Sequence, residues 1–281
     1  MIVRKTILGA ALTAGLSATV AHAGGELYPV VQAPEVDMGT IAAAQGWYIR
    51  GDLGYSASIS GGDGNYTYVD TFTGGQSRES FDDSRFSKPF SYGFGMGYQF
   101  NNFLRADLTT DFFNSSFDAE SGIDQPCRPG GNAGTGCNFT HDSGFDAISI
   151  LANGYVDLGT YAGFTPYIGA GIGATNVQWD DLTTRATCVD GVGTCGSTAQ
   201  GTTKNPGEES WRFTYALMAG ASYDLTNRVK LDVGYRYSDI DGGKMFGYNQ
   251  LEKSLGASGT KASDDGFQRH EIRAGIRVTT W

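Results

Sequence analysis

Two histidines beyond the N-terminal segment are the residues best suited to move a proton near neutral pH. His141 stands beside Asp142, and His270 stands beside Glu271. A histidine next to a carboxylate can act as a general acid or base, but such pairs also occur by chance and need a positioned nucleophile. Position 272, on the same strand face as His270, is isoleucine and not serine. We therefore expect no catalytic residues and no enzymatic activity.

Four cysteines could form disulfides or bind a metal ion. They fall into two local pairs, Cys127 with Cys137 and Cys188 with Cys195, flanked by Gly, Pro and polar residues. A metal site is the alternative interpretation, but there is no C-x-x-C motif, and among the histidines only His141 is close in sequence to the first pair. We expect two short-range bridges, each worth about 2.5 to 3 kcal/mol, and neither a metal nor a cofactor.

The tripeptide Arg50-Gly51-Asp52 could be an adhesion ligand if it lay in an exposed loop. It lies instead in a segment that alternates with period two, which is typical of a β-strand with two unlike faces. Arg50 and Asp52 share one face, and apolar residues occupy the other face: Trp47, Ile49, Leu53 and Tyr55. The alternation predicts that the tripeptide is hidden within a sheet.

The N-terminus predicts export. Arg4 and Lys5 precede an uncharged apolar run that ends in small residues at Ala21-His22-Ala23, as in a secretory signal peptide cleaved after Ala23. A membrane anchor is disfavoured by the many small residues. We predict a signal peptide at 1–23, a periplasmic leader at 24–45, disordered or docking a partner, and a barrel domain at 46–281.

The formal net charge is −10, and loss of the signal peptide makes it two units more negative. Nucleic-acid binding relies on clustered Lys and Arg, so an acidic chain argues against a nucleic-acid partner.

Alternation recurs along the chain and predicts eight strands long enough to cross a bilayer. They are expected at residues 46–56, 90–100, 104–112, 148–158, 166–174, 211–225, 229–237 and 272–278. Connections between them alternate between short and long, the long ones lying near 60–88, 113–144, 175–210 and 238–268. This predicts an all-β fold, an eight-stranded antiparallel transmembrane β-barrel with short periplasmic turns and four long extracellular loops.

Charged residues segregate to one face of the predicted strands. The face assigned to lipid carries no Asp, Glu, Lys or Arg, where a Lys or Arg would cost about 2 to 4 kcal/mol at mid-bilayer. The other face is expected to form ion pairs inside the barrel, with basic and acidic residues in equal number. The predicted interior ion-pairing residues are Arg50, Asp52, Arg105, Asp107, Asp224, Lys230, Asp232, Arg236, Glu271 and Arg273.

A soluble eight-stranded barrel is the competing fold, with its apolar face inward. Glycines argue against it, because Gly93, Gly95 and Gly97 share the charged face. Small residues relieve crowding inside a narrow barrel but would leave an aqueous surface bare.

With these features the chain resembles the small outer-membrane β-barrel proteins of alphaproteobacteria, a group related to the OmpA-like and Opa-like eight-stranded barrels. The resemblance rests on the signal peptide and on the segments GWYIRGDLGYS, FSYGFGMGYQF, FTPYIGAGIGAT, LDVGYRY and HEIRAGIRVTTW, which together span 46–281. It implies a structural protein of the cell outer membrane whose loops mediate surface contact or antigenicity. The alternatives are a narrow porin-like diffusion channel, a haemin or other ligand receptor, or a lipid-hydrolysing barrel.

The resemblance also implies partners. These are outer-membrane lipid and lipopolysaccharide, the assembly machinery that reads the C-terminal strand, and a host or surface ligand at the loops. Trp281 would be the C-terminal assembly signal, but it is one residue out of phase with the lipid-facing file at Ile276 and Val278. A bulge that rotates Trp281 outward, or a loosely read signal, would reconcile the two.

Overall fold

The computed structural model describes residues 45–62, 64–69, 74–87, 90–123, 136–189 and 201–280. Several predicted features lie outside these ranges: the signal peptide with Ala23, residues 24–44 of the leader, Cys127, Cys195 and Trp281.

Thirteen strands and one short helix make up the described part of the chain. The strands are β1 (Gly46–Gly61), β2 (Gly64–Val69), β3 (Gln76–Ser80), β4 (Asp82–Phe86), β5 (Phe90–Gln99), β6 (Leu104–Ile123), β7 (Gly136–Asp157), β8 (Phe164–Trp179), β9 (Leu182–Val189), β10 (Gly201–Asn205), β11 (Glu209–Asp224), β12 (Val229–Gly247) and β13 (Thr260–Thr279), and the helix is α1 (Gln250–Ser254). Among the described residues, no helix has the length and apolar character to cross a membrane.

Eight of the strands close into a ring. The order is β1-β5-β6-β7-β8-β11-β12-β13, every neighbour is antiparallel, and β13 pairs back onto β1 with Arg50 opposite Arg277. Closure leaves no unpaired edge in the ring, which is what a sheet needs to cross a membrane. The predicted all-β antiparallel barrel is confirmed.

Short turns join the ring strands at one end, here called the turn end. Asn101 Oδ1 accepts hydrogen bonds from the backbone N–H groups of Phe103 and Leu104, at 2.8 and 2.9 Å. Thr226 Oγ1 does the same for Arg228 and Val229, at 3.2 and 3.0 Å. Asn and Thr side chains stabilise tight turns in this way, so they fix the register of the strands that follow.

Near the turn end, the ring has an apolar outside and a polar inside. Apolar side chains on the outer face are largely exposed, such as Leu53 (69%), Phe94 (60%) and Ile168 (52%). Buried polar and charged residues alternate with them along each strand. A sheet surrounded by lipid requires this arrangement, because lipid cannot solvate charge.

At the opposite end, here called the loop end, the strands run further than predicted. Much of 113–144, interpreted from the sequence as a long loop, continues β6 and begins β7. Five shorter strands extend the sheet: β2 pairs with β13 and β3, β4 with β6, β9 with β7, and β10 with β9. Backbone groups in these segments are therefore paired within the sheet.

The apolar face changes sides along β6 without a change in strand parity. Leu104 and Leu108 point outward and Arg105 and Asp107 inward, but after Phe113 the inward file carries no charge and includes apolar residues, while the outward residues are polar or glycine. Phe117 and Ala119 are buried there, while Asp118 and Glu120 are exposed. The reversal indicates that lipid surrounds the ring only up to about Phe112, because beyond it the strand has the pattern of a sheet in water.

Candidate functional site

The lumen of the ring is divided into two layers. The ionic layer, near the turn end, consists of twelve inward-facing charged residues, six of each sign: Arg50, Asp52, Arg105, Asp107, Asp111, Asp157, Asp232, Arg236, Arg269, Glu271, Arg273 and Arg277. The aromatic layer, near the loop end, contains Tyr66, Phe81, Phe113, Phe117, Phe145, Trp179, Phe246 and Phe267.

Asp111 joins opposite sides of the ionic layer. Its carboxylate on β6 lies 2.7 Å from Arg236 Nη1 on β12 and 2.5 Å from Arg273 Nη2 on β13. In the ring order β12 lies four strands from β6, on the far side of the lumen. The Asp111 side chain is fully buried, so this pair is a direct ionic bridge across the lumen.

Arg50 holds a second cluster, on the side of β1. Its guanidinium forms a bidentate pair with Asp52, at 2.7 and 2.8 Å, and donates to Asp107 at 3.0 Å and to the Tyr155 hydroxyl at 3.1 Å. Asp52 also lies 3.6 Å from Arg273, which links this cluster to Asp111. A planar guanidinium with several donors is well suited to joining carboxylates in this way.

Glu271 is at the centre of a third cluster of ion pairs. It lies 3.1 Å from Arg236 Nε and 3.0 Å from Arg269 Nη2, and it accepts a hydrogen bond from Ser91. Two further pairs lie closer to the turn end, where Arg105 contacts Asp157 at 3.1 Å and Arg277 contacts Asp232 at 3.2 Å. Lys230 also pairs with Asp224, its cross-strand neighbour, but that pair is partly exposed.

Little open space remains within the ionic layer. A cavity of about 20 Å³ lies among Arg50, Asp52, Asp232, Arg236 and Arg273. Such a volume holds about one water molecule. Arg105 Nη1 and Nη2 are buried and have no hydrogen-bond partner among the described residues, but the guanidinium lies over the Tyr155 ring, 4.0 Å from its centroid, which is a favourable cation–π contact.

The aromatic layer fills the lumen toward the loop end. Phe117 is fully buried, and its ring lies 5.6 Å from Phe81, 5.4 Å from Phe86 and 5.5 Å from Trp179 between centroids. Edge-to-face and tilted contacts at these distances are favourable packing. Here the lumen is a packed core.

All ten predicted ion-pairing residues lie in ion pairs with one another or with other inward residues. Arg269 was absent from that predicted set, although it contributes a central contact. It shares strand parity with the predicted member Glu271, so parity was the signal that could have identified it.

The two histidines are held in different surroundings. The buried His141 is hydrogen-bonded at Nε2 to Ser121 Oγ (2.8 Å) and at Nδ1 to Thr184 Oγ1 (3.0 Å). Burial, together with the nearby Lys261, lowers the pKa of His141 to about 4. A neutral, weakly basic imidazole without a carboxylate on its second nitrogen is a poor activator of Ser121.

His270 lies on the outer face. Its Nδ1 is hydrogen-bonded to the Tyr235 hydroxyl, and its ring centroid lies 5.2 Å from that of Tyr237. Tyrosines at this level fit an interfacial aromatic girdle.

The disulfide pairing remains a prediction, and the backbone supplies a competing connectivity. In the pairing of β7 with β9, Cys137 stands directly opposite Cys188. Opposed Cα atoms in an antiparallel pair are about 4.5 to 5.5 Å apart, within the range that a disulfide spans.

Mass mapping of the unreduced protein distinguishes these two disulfide connectivities. We expect peptides joined as Cys127–Cys137 and Cys188–Cys195, and a peptide joining Cys137 to Cys188 would replace both local bridges.

Comparison with known proteins agrees with this architecture. The family model of the outer membrane protein beta-barrel domain matches residues 8–276. An uncharacterized protein of Brucella suis is 38% identical over 262 residues, covering 88% of this chain and 89% of the relative. A Rickettsia conorii protein named "Putative adhesin" is 29% identical over 188 residues, covering 67% of this chain and 66% of the relative.

Among solved structures, the outer membrane protein OprG of Pseudomonas aeruginosa aligns with a TM-score of 0.42 and 17% identity, over 83% of this chain and 94% of that one. Because this TM-score is below 0.5, the fold assignment rests on the strand pairing and the family match. The chain belongs to the outer membrane protein beta-barrel family, and it is a protein of the outer membrane.

Proposed function

We propose that this protein is a non-conducting scaffold of the outer membrane that carries an extended surface outside the cell for contact with other molecules. The observation that carries the proposal is the bridge from Asp111 to Arg236 and Arg273, which crosses the lumen in the layer surrounded by lipid. A barrel whose lumen is closed in this way acts as a support for the strands and loops at its ends.

The loop end supplies the contact surface. In bacterial barrels short turns face the periplasm and long connections face the exterior, so the loop end is the outer one. There the sheet continues as β2, β3, β4, β9 and β10, around the aromatic layer. A packed core gives this part a defined shape, which favours specific recognition.

The Rickettsia conorii relative with adhesin in its name supports a role in surface contact. The partners we propose are lipid and lipopolysaccharide along the apolar outer face, the assembly machinery at the C-terminal strand, and a host or surface ligand at the loop end. A catalytic role has less support, because the Ser121–His141 contact has no carboxylate partner at Nδ1.

A diffusion channel is the competing function, and a measurement of ion conductance distinguishes it from a non-conducting scaffold. We expect little or no steady current from the purified protein in a planar bilayer, because six basic and six acidic groups pair inside the lumen and the aromatic layer fills it toward the loop end. Changing Asp111, Arg236 and Arg273 together to alanine removes the bridge, but the aromatic layer still fills the lumen toward the loop end, so we expect no steady current from that variant either. A large, stable, ion-selective current from the unaltered protein would overturn the proposal.

A substitution in the Arg50-Gly51-Asp52 tripeptide tests which part of the protein makes the surface contact. Arg50 and Asp52 point into the lumen with nearly buried side chains, so an outside receptor cannot reach them. In cells that display the protein, we expect Asp52→Ala to leave adhesion to cultured epithelial cells unchanged, provided that the variant still migrates as a folded barrel in unboiled gels. Deletion of residues 182–205, which include β9 and β10, should reduce adhesion. Loss of adhesion in folded Asp52→Ala alone would contradict the assignment.

A further inference from the structure

A second, larger cavity lies at the loop end, apart from the ionic layer. Its volume is about 190 Å³. It lies between β2, β7, β9, β10, α1 and β13, and its apolar wall includes Tyr66, Tyr68, Phe139, Leu182, Ala186 and Leu251. Leu251 and Thr203 at its margin are exposed, so the cavity opens to solvent. Nothing in the proposed scaffold role requires this space.

The wall is rich in aromatic rings held in fixed positions. The Tyr68 and Phe139 ring centroids are 6.3 Å apart, and Tyr66 lies 5.5 Å from the His141 ring. The Tyr66 hydroxyl is hydrogen-bonded to Ser121, which also contacts His141. Preorganised rings offer faces and edges to a planar ligand without an ordering cost on binding.

The charges at the cavity compensate each other. Lys261 Nζ pairs with Glu252 at 2.5 Å and donates to Asn205 Oδ1 at 3.0 Å. Glu252 also accepts from the Asn249 backbone N–H at 2.9 Å, as part of the capping box of α1. His141 is neutral at pH 7. A charged ligand would lose its hydration and meet no unpaired counter-charge, which disfavours it.

Size limits the ligand further. An engineered apolar cavity of about 150 Å³ holds benzene, whereas drug-sized ligands occupy about 300–1,000 Å³. Thr184 and Thr203 line the same cavity, and their hydroxyls can form hydrogen bonds with a polar atom of the ligand. We propose that this cavity binds a small neutral aromatic molecule with a single ring or two fused rings, whose polar atom lies toward Thr184 and Thr203.

The test uses fluoroindole as the probe and the full barrel in lipid nanodiscs, with protein-free nanodiscs to measure partition into lipid. Fluorine NMR relaxation should show saturable binding that the empty discs lack. Ala186→Phe fills the cavity from β9, and Thr203→Phe does so from β10. Thr187→Phe is the matched control, since Thr187 is the exposed neighbour of Ala186 and does not line the cavity.

We expect both filling variants to weaken binding at least about tenfold, because the added ring takes the space of the ligand, and Thr187→Phe to leave it unchanged. Fluorobenzoate and fluorobenzylammonium should bind more weakly than fluoroindole. The proposal is overturned by equal signals from protein-containing and empty discs, by full binding in both filling variants when these are folded, or by a stronger signal from either charged probe.

Discussion

Replacement of Asp111 by asparagine is expected to lower the free energy of unfolding by about 3–5 kcal/mol, the cost of breaking a buried ion pair by removing one partner. The change retains the size of the side chain but leaves Arg236 and Arg273, at 2.7 and 2.5 Å, without their shared carboxylate. Both guanidiniums remain buried in the lipid-surrounded layer. Urea titration in detergent, followed by the migration of unboiled protein in gels, would measure the loss.

Asp224→Asn is the matched control. It makes the same chemical change in a pair with Lys230 that is partly exposed at the turn end, where such pairs contribute about 0–1 kcal/mol. We expect its unfolding curve to lie near that of the unaltered protein. Equal losses in the two variants would show that the cross-lumen bridge contributes no more than an exposed pair.

Phe117→Ala should lower the free energy of unfolding by about 3–5 kcal/mol, the range for truncating a buried phenylalanine. Phe117 is fully buried in the aromatic layer and packs against Phe81, Phe86 and Trp179. Its loss leaves a cavity in a region that we place outside the bilayer. The same urea titration would report the change.

Asn114→Ala on the same strand is the control, because Asn114 is exposed on the outer face three residues away. Surface changes of this kind usually stay within about 0.5 kcal/mol. If Phe117→Ala and Asn114→Ala both had little effect, the aromatic layer would not be a packed core, and the loop end would lack the defined shape that the proposed contact role requires.

The sequence predicted the ring well because its signals are local. A strand exposes one face every second residue, so alternation marks the lipid-facing file wherever lipid touches the sheet. Leu104 and Leu108 therefore identified β6 correctly. The same criterion ended the strand at Phe112, since the apolar file stops there, although β6 continues to Ile123.

The continuation was missed because the solvent around the strand changes, not because the pattern disappears. Past Phe113 the apolar residues occupy the inward parity, as Phe117 and Ala119 do. The prediction followed one apolar face and interpreted its loss as a loop. A test for reversed alternation would have extended β6 and indicated the aromatic layer.

The sequence by itself determined which residues face the lumen, because parity along a strand is fixed by backbone geometry. It also indicated the Asp224–Lys230 pair, since a short turn makes these residues cross-strand neighbours. Only the tertiary structure decided that Asp111 bridges to Arg236 and that a cavity opens beside His141. These contacts join strands far apart in the ring order or in the chain, and their distances depend on how the whole sheet twists and closes, which no local pattern specifies.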